Sequence, residues 1–226
     1  MTLTTRQPGR SEVATPETRK MKVLAIGSQK GGSAKSTTSL YLATRFAEYL
    51  GGTEDNPVVG LLDRDSTSKN LTGMIKVRRS LLRPGVKLLE GEELPKDDQN
   101  LRLVVIDTPP GLAAIDSLQS ADLLVVPVIP SEQGVVNLVQ YLRSIKGQRV
   151  SVSPHMRLLA LLPANVKKDS ALHREMLSII RDLAAGYDPP LPVLTPVPSR
   201  TRIERWDLAS DGYDEAAKEL FNYARL

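Results

Sequence analysis

The sequence predicts an α/β protein, a mostly parallel sheet with helices on both of its faces. Three observations carry that expectation. Short apolar runs at 22–26, 58–62, 101–106, 123–128 and 158–162 alternate with stretches of helical periodicity, the pattern of strands buried on both faces. A glycine-rich stretch follows the first run directly, and two later runs lead into an acid, Asp63 and Asp107. Ligands of open parallel sheets bind outside the carboxyl ends of the strands, so all three signals fall where a site would be built.

Composition bounds the rest. The 226 residues are 41% hydrophobic and 25% charged, ordinary for one globular domain. No run approaches eighteen apolar residues, which excludes a membrane span, and the first residues lack the apolar core of a secretory signal. Without cysteine there are neither disulfides nor thiolate metal ligands, which suits a reducing cytoplasm. Residues 1–20 contain Pro8, Gly9 and Pro16 and show no period, so they are expected to form a mobile arm ahead of a single domain over 21–226. Five basic side chains stand against two acidic ones in 1–22, and the whole chain has a net charge of +4. Such an arm serves as a solubilising tail, as a segment touching nucleic acid, or as both.

In chain order, strand 22–26 opens the domain and the glycine loop follows. A helix is expected over 36–50, where Leu40, Ala43, Ala47 and Leu50 share one face with Phe46 beside them. The turn residues Gly51 to Pro57 stop it, and strand 58–62 ends at Asp63. The charged segment 71–100 carries no assignable period. Strand 101–106 then runs into Asp107, and a helix near 133–146 separates strands 123–128 and 158–162. Helices near 170–184 and 211–224 complete the domain. No internal repeat, second domain or helix-turn-helix ahead of the loop is expected.

Strand, glycine loop, helix is the order a phosphate-binding loop requires. In Gly27-Ser28-Gln29-Lys30-Gly31-Gly32-Ser33-Ala34-Lys35-Ser36-Thr37-Thr38 the backbone N–H groups would curl round phosphates. Lys35 would reach the β- and γ-phosphates and the Ser36 hydroxyl would hold Mg²⁺. The candidate nucleotide contacts here are Lys30, Gly31, Gly32, Ser33, Ala34, Lys35, Ser36 and Thr37. The general pattern G-x-x-x-x-G-K-[ST] fails at both glycines, because Gln29 and Ala34 occupy their positions. A methyl at Ala34 costs about 1–2 kcal/mol if the backbone must be left-handed, so the loop is expected to close with an allowed, unstrained backbone there. Asp107 suits the acid that binds Mg²⁺ through its water shell.

The pattern K-G-G-x-x-K-[ST]-T resembles the deviant Walker A loop of the ParA/MinD family of ATPases, usually K-G-G-x-G-K-[ST]-T. The resemblance implies a P-loop NTPase fold with ATP and Mg²⁺ as cofactors. It identifies Lys30 as the family's signature lysine, which crosses a dimer interface to the other subunit's nucleotide, and so implies a homodimer when ATP is bound. Thr108-Pro109-Pro110-Gly111 behind Asp107 matches the family's D-x-P-P segment, a switch that would sense the γ-phosphate. Asp63-Arg64-Asp65 resembles its D-x-D segment, which makes Asp65 the residue that positions or activates the attacking water and Asp63 an outer partner of Mg²⁺. The catalytic set is then Asp65, Lys30 and Lys35. The family commonly continues with Pro-Gln where this chain has Ser66-Thr67.

Toward the C-terminus, 195–200 resembles the segment that wraps the adenine, with Pro198 and Asn165 as base contacts. Arg200, Arg202, Arg205, Lys167 and Lys168 supply positive charge of the sort with which ATP-bound ParA-type dimers hold DNA without sequence preference. A solvated basic face is the plainer reading of the same residues. His155 and His173 lack a partnered carboxylate pattern and are expected to be structural or surface residues.

The resemblance thus implies a short ParA-type partition ATPase, lacking the N-terminal DNA-binding domain of the long forms, that is cytoplasmic and nucleoid-associated. It would dimerise on ATP, bind DNA and hydrolyse ATP slowly when stimulated by a ParB-like centromere-binding protein. A MinD-like membrane-associated positioning ATPase is the first alternative, disfavoured because 211–220 begins acidic. A nucleotide-switched DNA-binding autorepressor using the N-terminal arm is the second. The lack of cysteine excludes the iron–sulfur relatives, and the lack of a terminal tyrosine cluster disfavours the tyrosine-kinase ones.

Overall fold

The computed structural model describes residues 21–65, 70–96, 98, 100–147, 156 and 158–226; the expected arm over 1–20, Ser66-Thr67 and His155 lie outside them. Six strands form one sheet: β1 (Lys22–Ile26), β2 (Val59–Asp63), β3 (Val86–Leu89), β4 (Leu103–Asp107), β5 (Leu123–Val128) and β6 (Leu158–Pro163). Their order is β3-β2-β4-β1-β5-β6 and every neighbouring pair is parallel. The helices are α1 (Lys35–Tyr49), α2 (Asn70–Val77), α3 (Ile115–Gln119), α4 (Glu132–Gly147), α5 (Ala171–Ala185), α6 (Thr201–Glu204) and α7 (Asp214–Ala224). This is the parallel α/β sheet covered on both faces that the apolar runs predict, in the P-loop NTPase-like form that the resemblance implies.

Alternate residues of the same strand enter different cores. Leu24 and Ile26 pack with Val59, Leu61 and Val105 under Leu40, Ala43, Phe46 and Ala47 of α1 and Ala217 and Leu220 of α7. Ala25 faces the other way, with Leu124, Val126 and Leu161, under Leu138, Tyr141 and Leu142 of α4 and Ile180 of α5. Because both faces are covered, the central strands read as continuous apolar runs with no period of two. Leu50, expected on the buried face of the first helix, is only partly buried at its C-cap.

The segment without assignable period, 71–100, supplies α2, a one-turn 3₁₀ helix at Arg79–Leu81 and the edge strand β3, which pairs with β2 from Val59↔Val86 to Leu62↔Leu89. β3 has only four residues and exposes Lys87, so its pattern is too short and too mixed to stand out. Register is what matters for function. Asp107 lies level with Ile26 on one side and with Asp63 on the other, so the carboxyl ends of β1, β4 and β2 form one ledge. Among the described residues no helix is long and apolar enough to cross a membrane.

Candidate functional site

The glycine loop leaves the ledge at β1. Gly27 sits where a Cβ would lie 2.1 Å from the Tyr141 hydroxyl, so only glycine lets the chain pass there. The Lys30 carbonyl then gathers three donors: Ser28 Oγ at 3.0 Å, Ser33 Oγ at 3.2 Å and Lys35 Nζ at 3.4 Å. The loop thus curls on itself around one peptide. Lys30 projects its side chain to solvent, while Lys35 is 7% exposed. Burial lowers the Lys35 pKa, and the charges of Asp107 and Asp65 oppose that shift.

α1 starts without a side-chain cap, because its N-cap residue is Ala34. The first N–H groups of the helix have no side-chain acceptor from that residue, and a helix N-terminus in this condition favours an anion. Ala34 itself corrects the sequence expectation. Its backbone is left-handed, with φ 68° and ψ 21°, and not unstrained. The Ala34 carbonyl already accepts the Thr38 N–H at 2.9 Å, so the turn from loop into helix must be completed at this residue. The general loop pattern has glycine there, and the methyl carries a cost of about 1–2 kcal/mol.

Asp107 is 1% exposed at the end of β4. The Ser36 hydroxyl hydrogen-bonds to its carboxylate, and Ser39 Oγ donates to Oδ1 at 3.2 Å. Burial pushes its pKa up to about 7 and the neighbouring charge of Asp63 adds to the rise; the Ser36 hydrogen bond, the Lys35 charge and the Ser39 hydrogen bond pull it down. Ser39 went unnoticed in the sequence, although its place one helical turn beyond Lys35 and Ser36 is the signal that could have found it. Asp63 turns both oxygens to backbone, accepting from Asp65 N at 3.1 Å and Thr72 N at 2.9 Å. It therefore holds the loop that carries Asp65 and docks the start of α2. Asp65 is half-buried and close enough for its charge to act on Lys35.

The stretch after Asp107 is stitched to the same loop. Thr108 Oγ1 donates to the Ile26 carbonyl at 2.8 Å, and Gly111 N–H donates to the Ser28 carbonyl at 2.8 Å. A shift of either strand end is felt directly by the glycine loop. Among the described residues no three His, Cys, Asp or Glu side chains gather into a metal site of their own. The buried Asp107 carboxylate with the Ser36 hydroxyl against it is nevertheless the kind of oxygen pair that Mg²⁺ takes when phosphates supply the rest.

The remaining sequence candidates fall in a second group. Asn165, left-handed at φ 56°, and Pro198 come together at the carboxyl end of β6 through the parallel bridge Val166↔Pro198. The same bridge sets Lys167 and Lys168 beside the chain leading to Arg200. All five basic candidates, Lys167, Lys168, Arg200, Arg202 and Arg205, are exposed. Arg202 Nε is held by Asp207 at 2.7 Å. Three arginines that sequence reasoning passed over join them: Arg78 donates to the Arg205 carbonyl at 3.1 Å, Arg83 acts electrostatically on Asp207, and Arg79 lies exposed between them in sequence. His173 is structural, accepting the Lys167 N–H on Nδ1 at 3.1 Å near the start of α5.

Comparison with known proteins bears on the fold and the family. The chain is 26% identical to the chromosome-partitioning ATPase Soj of Thermus thermophilus, over 63% of this chain and 69% of that protein. An ATP complex of a McdA variant from Cyanothece superposes with a TM-score of 0.71 at 15% identity, covering 91% of this chain and 97% of the other. Cobyrinic acid a,c-diamide synthase from Mycobacterium smegmatis, with ADP and magnesium bound, gives a TM-score of 0.63 at 23% identity over 88% and 92% of the two chains. At these identities the structural likeness establishes the fold. The CobQ/CobB/MinD/ParA nucleotide-binding domain matches residues 24–211, most of the chain, and this protein belongs to that family.

Proposed function

We propose that the protein is a ParA-type partition ATPase that binds ATP with Mg²⁺, dimerises around it, holds DNA through its basic rim and releases it on hydrolysis. The observation that carries this reading is the division between the two lysines of one loop: Lys35 buried beside Asp107, Lys30 pointing to solvent. A buried lysine among acids serves the nucleotide of its own subunit. An exposed one on the same loop is free to reach a second nucleotide across an interface. Lys30, Gly31, Gly32, Ser33, Ala34, Lys35, Ser36 and Thr37 would cradle the phosphates, with Asn165 and Pro198 at the base. Ser36 and Asp107 would hold Mg²⁺, with Asp63 behind them, and the ion would neutralise charge developing on the phosphates. Asp65 would orient the attacking water. Catalysis of this kind is positioning and charge neutralisation, which suits a slow switch stimulated by a ParB-like partner at the nucleoid.

The MinD-like alternative loses ground on one observation. The apolar side of α7, with Ala216, Ala217, Leu220 and Ala224, packs into the core, and Lys22 Nζ donates to the Ala224 and Arg225 carbonyls at 3.0 and 2.8 Å. That face is not available to a lipid surface. The deciding experiment follows dimerisation by size exclusion and DNA retention by filter binding, with ATP or ADP at two salt concentrations. ATP-dependent dimers that retain DNA, less so at high salt, are expected. Lys30→Ala should lose the dimer while keeping nucleotide, and Asp65→Ala should accumulate it. A Lys30→Ala protein that dimerises normally with ATP would remove the basis of this reading.

A further inference from the structure

The sheet carries a third, smaller core, made of Val23, Leu62, Leu101, Val104 and Ile106. Val23 alternates with Leu24, which packs under α1, so this core lies on the opposite face of the sheet. The other two cores are roofed by helices, α1 and α7 on one and α4 and α5 on the other. Packed on the third, among the described residues, are only Met21, Leu89 and Leu94, none of them in a helix. A parallel sheet is ordinarily covered on both faces, so this is its thinnest cover.

A groove of about 560 Å³ opens there. Its apolar floor is made by Met21, Val23, Leu94 and Pro95, and none of the residues assigned above to nucleotide, Mg²⁺ or DNA lines it. Three acids, Glu92, Glu93 and Asp122, stand in its walls against two bases, Arg64 and Lys96, in a chain whose net charge is +4. Arg64 is engaged by the walls themselves, its Nε donating to the Glu92 carbonyl at 2.7 Å and its Nη1 to Ser120 Oγ at 3.5 Å. Asp122 accepts the Val23 N–H on Oδ2 at 2.9 Å. Glu92 and Glu93 are exposed and form no ion pair among the described residues.

The described chain begins inside this groove, at Met21. Lys22 turns to the other face, where its Nζ donates to the Ala224 and Arg225 carbonyls, while Met21 and Val23 keep to the groove. Directly before Met21 stand Arg19 and Lys20, and residues 1–20 hold four basic side chains against two acidic ones. Each exposed ion pair is weak. Attachment at Met21 nevertheless gives the arm an effective concentration on the order of millimolar at the groove, so a few weak pairs over an apolar floor suffice.

We propose that this groove is the seat of the chain's own N-terminal arm, with Arg19 and Lys20 against Glu92 and Glu93. An arm seated there is withheld from a polyanion. The proposal does not depend on the nucleotide reading.

Because the chain has no cysteine, Thr15→Cys gives the full-length protein one attachment point for a nitroxide spin label. Paramagnetic relaxation is read on the Leu94, Lys96 and Gln119 amides, with α1 amides on the far face as reference. Glu92→Lys with Glu93→Lys should lower the effect on the groove amides by about 3-fold or more, the loss of two exposed ion pairs. Adding Arg19→Glu and Lys20→Glu to that protein should restore it. The two glutamates are exposed, so folding is retained, and a thermal melt verifies it. Molar salt should weaken the effect in the unaltered chain. Relaxation unchanged by the reversal, or not restored by the swap, overturns the proposal, because the label then reports only an arm swinging near its point of attachment. Relaxation of unlabelled ¹⁵N chain mixed with labelled chain assigns the groove to the arm of a second copy and overturns it equally.

Discussion

At the carboxyl ends of β1, β2 and β4 charge is sparse and sealed, whereas along 78–83 and 200–205 it is dense and open to water. On the ledge, Asp107 and Lys35 are buried together, and each is shifted in pKa first by burial and then by its neighbours. Moving either charge by one residue would leave the other without compensation in a low-dielectric setting. On the rim, Arg78, Arg79, Arg83, Arg200, Arg202 and Arg205 are exposed and keep their hydration, so no one of them dominates. A buried site concentrates its energetics in few atoms, and an exposed one spreads them.

Lys35→Ala should break the sealed side with the largest effect. It removes the cation facing the phosphates, and nucleotide affinity measured by fluorescence titration should fall by roughly 100-fold or more. Loss of less than about 5-fold would mean that the ledge is not where phosphate binds.

Asp107 tests the same side through pH. Its folded pKa of about 7 stands above the unfolded value of 3.8, so the folded state holds the proton more tightly. This group's contribution to stability is complete below about pH 4 and is lost as pH rises through about 7. Nucleotide-free protein should therefore lose stability across that window in denaturant titrations, and Asp107→Asn should flatten the slope while abolishing Mg²⁺-dependent turnover. Mg²⁺–ATP affinity should move the other way, rising as the carboxylate ionises near pH 7. An unchanged pH slope in Asp107→Asn would show that another group carries it.

Ala34→Gly sharpens the comparison at the seam between loop and helix. It relieves a left-handed alanine at the cost of a looser unfolded chain, so a net gain of about 0.5–1 kcal/mol is expected in a thermal melt. A loss of stability would mean that the methyl makes a compensating contact.

The rim should respond most weakly. Arg205→Ala should reduce DNA affinity by only about 2- to 5-fold and lower the salt slope by about one. Arg202→Ala should do still less, because Asp207 already holds that guanidinium. Equal effects of the two would argue against the ion pair persisting on DNA.

The sequence by itself determined the sealed side: the apolar runs, the glycine loop and the acids at the ends of β2 and β4. Each of these is a local constraint, a strand that must be buried or a backbone that must turn tightly, and local constraints leave patterns in neighbouring residues. The β3 edge strand left no such pattern, because four residues of which only Val86 is buried are too few to force a period. Only the tertiary structure decided that Ser39 reaches Asp107, that Arg78 meets the 200–205 segment and that Tyr141 lies under Gly27. The last two contacts join residues more than a hundred positions apart, and Ser39 on α1 meets an acid at the end of β4. What brings them together is the parallel register and the packing of helices on the two faces, and no stretch of sequence contains that information by itself.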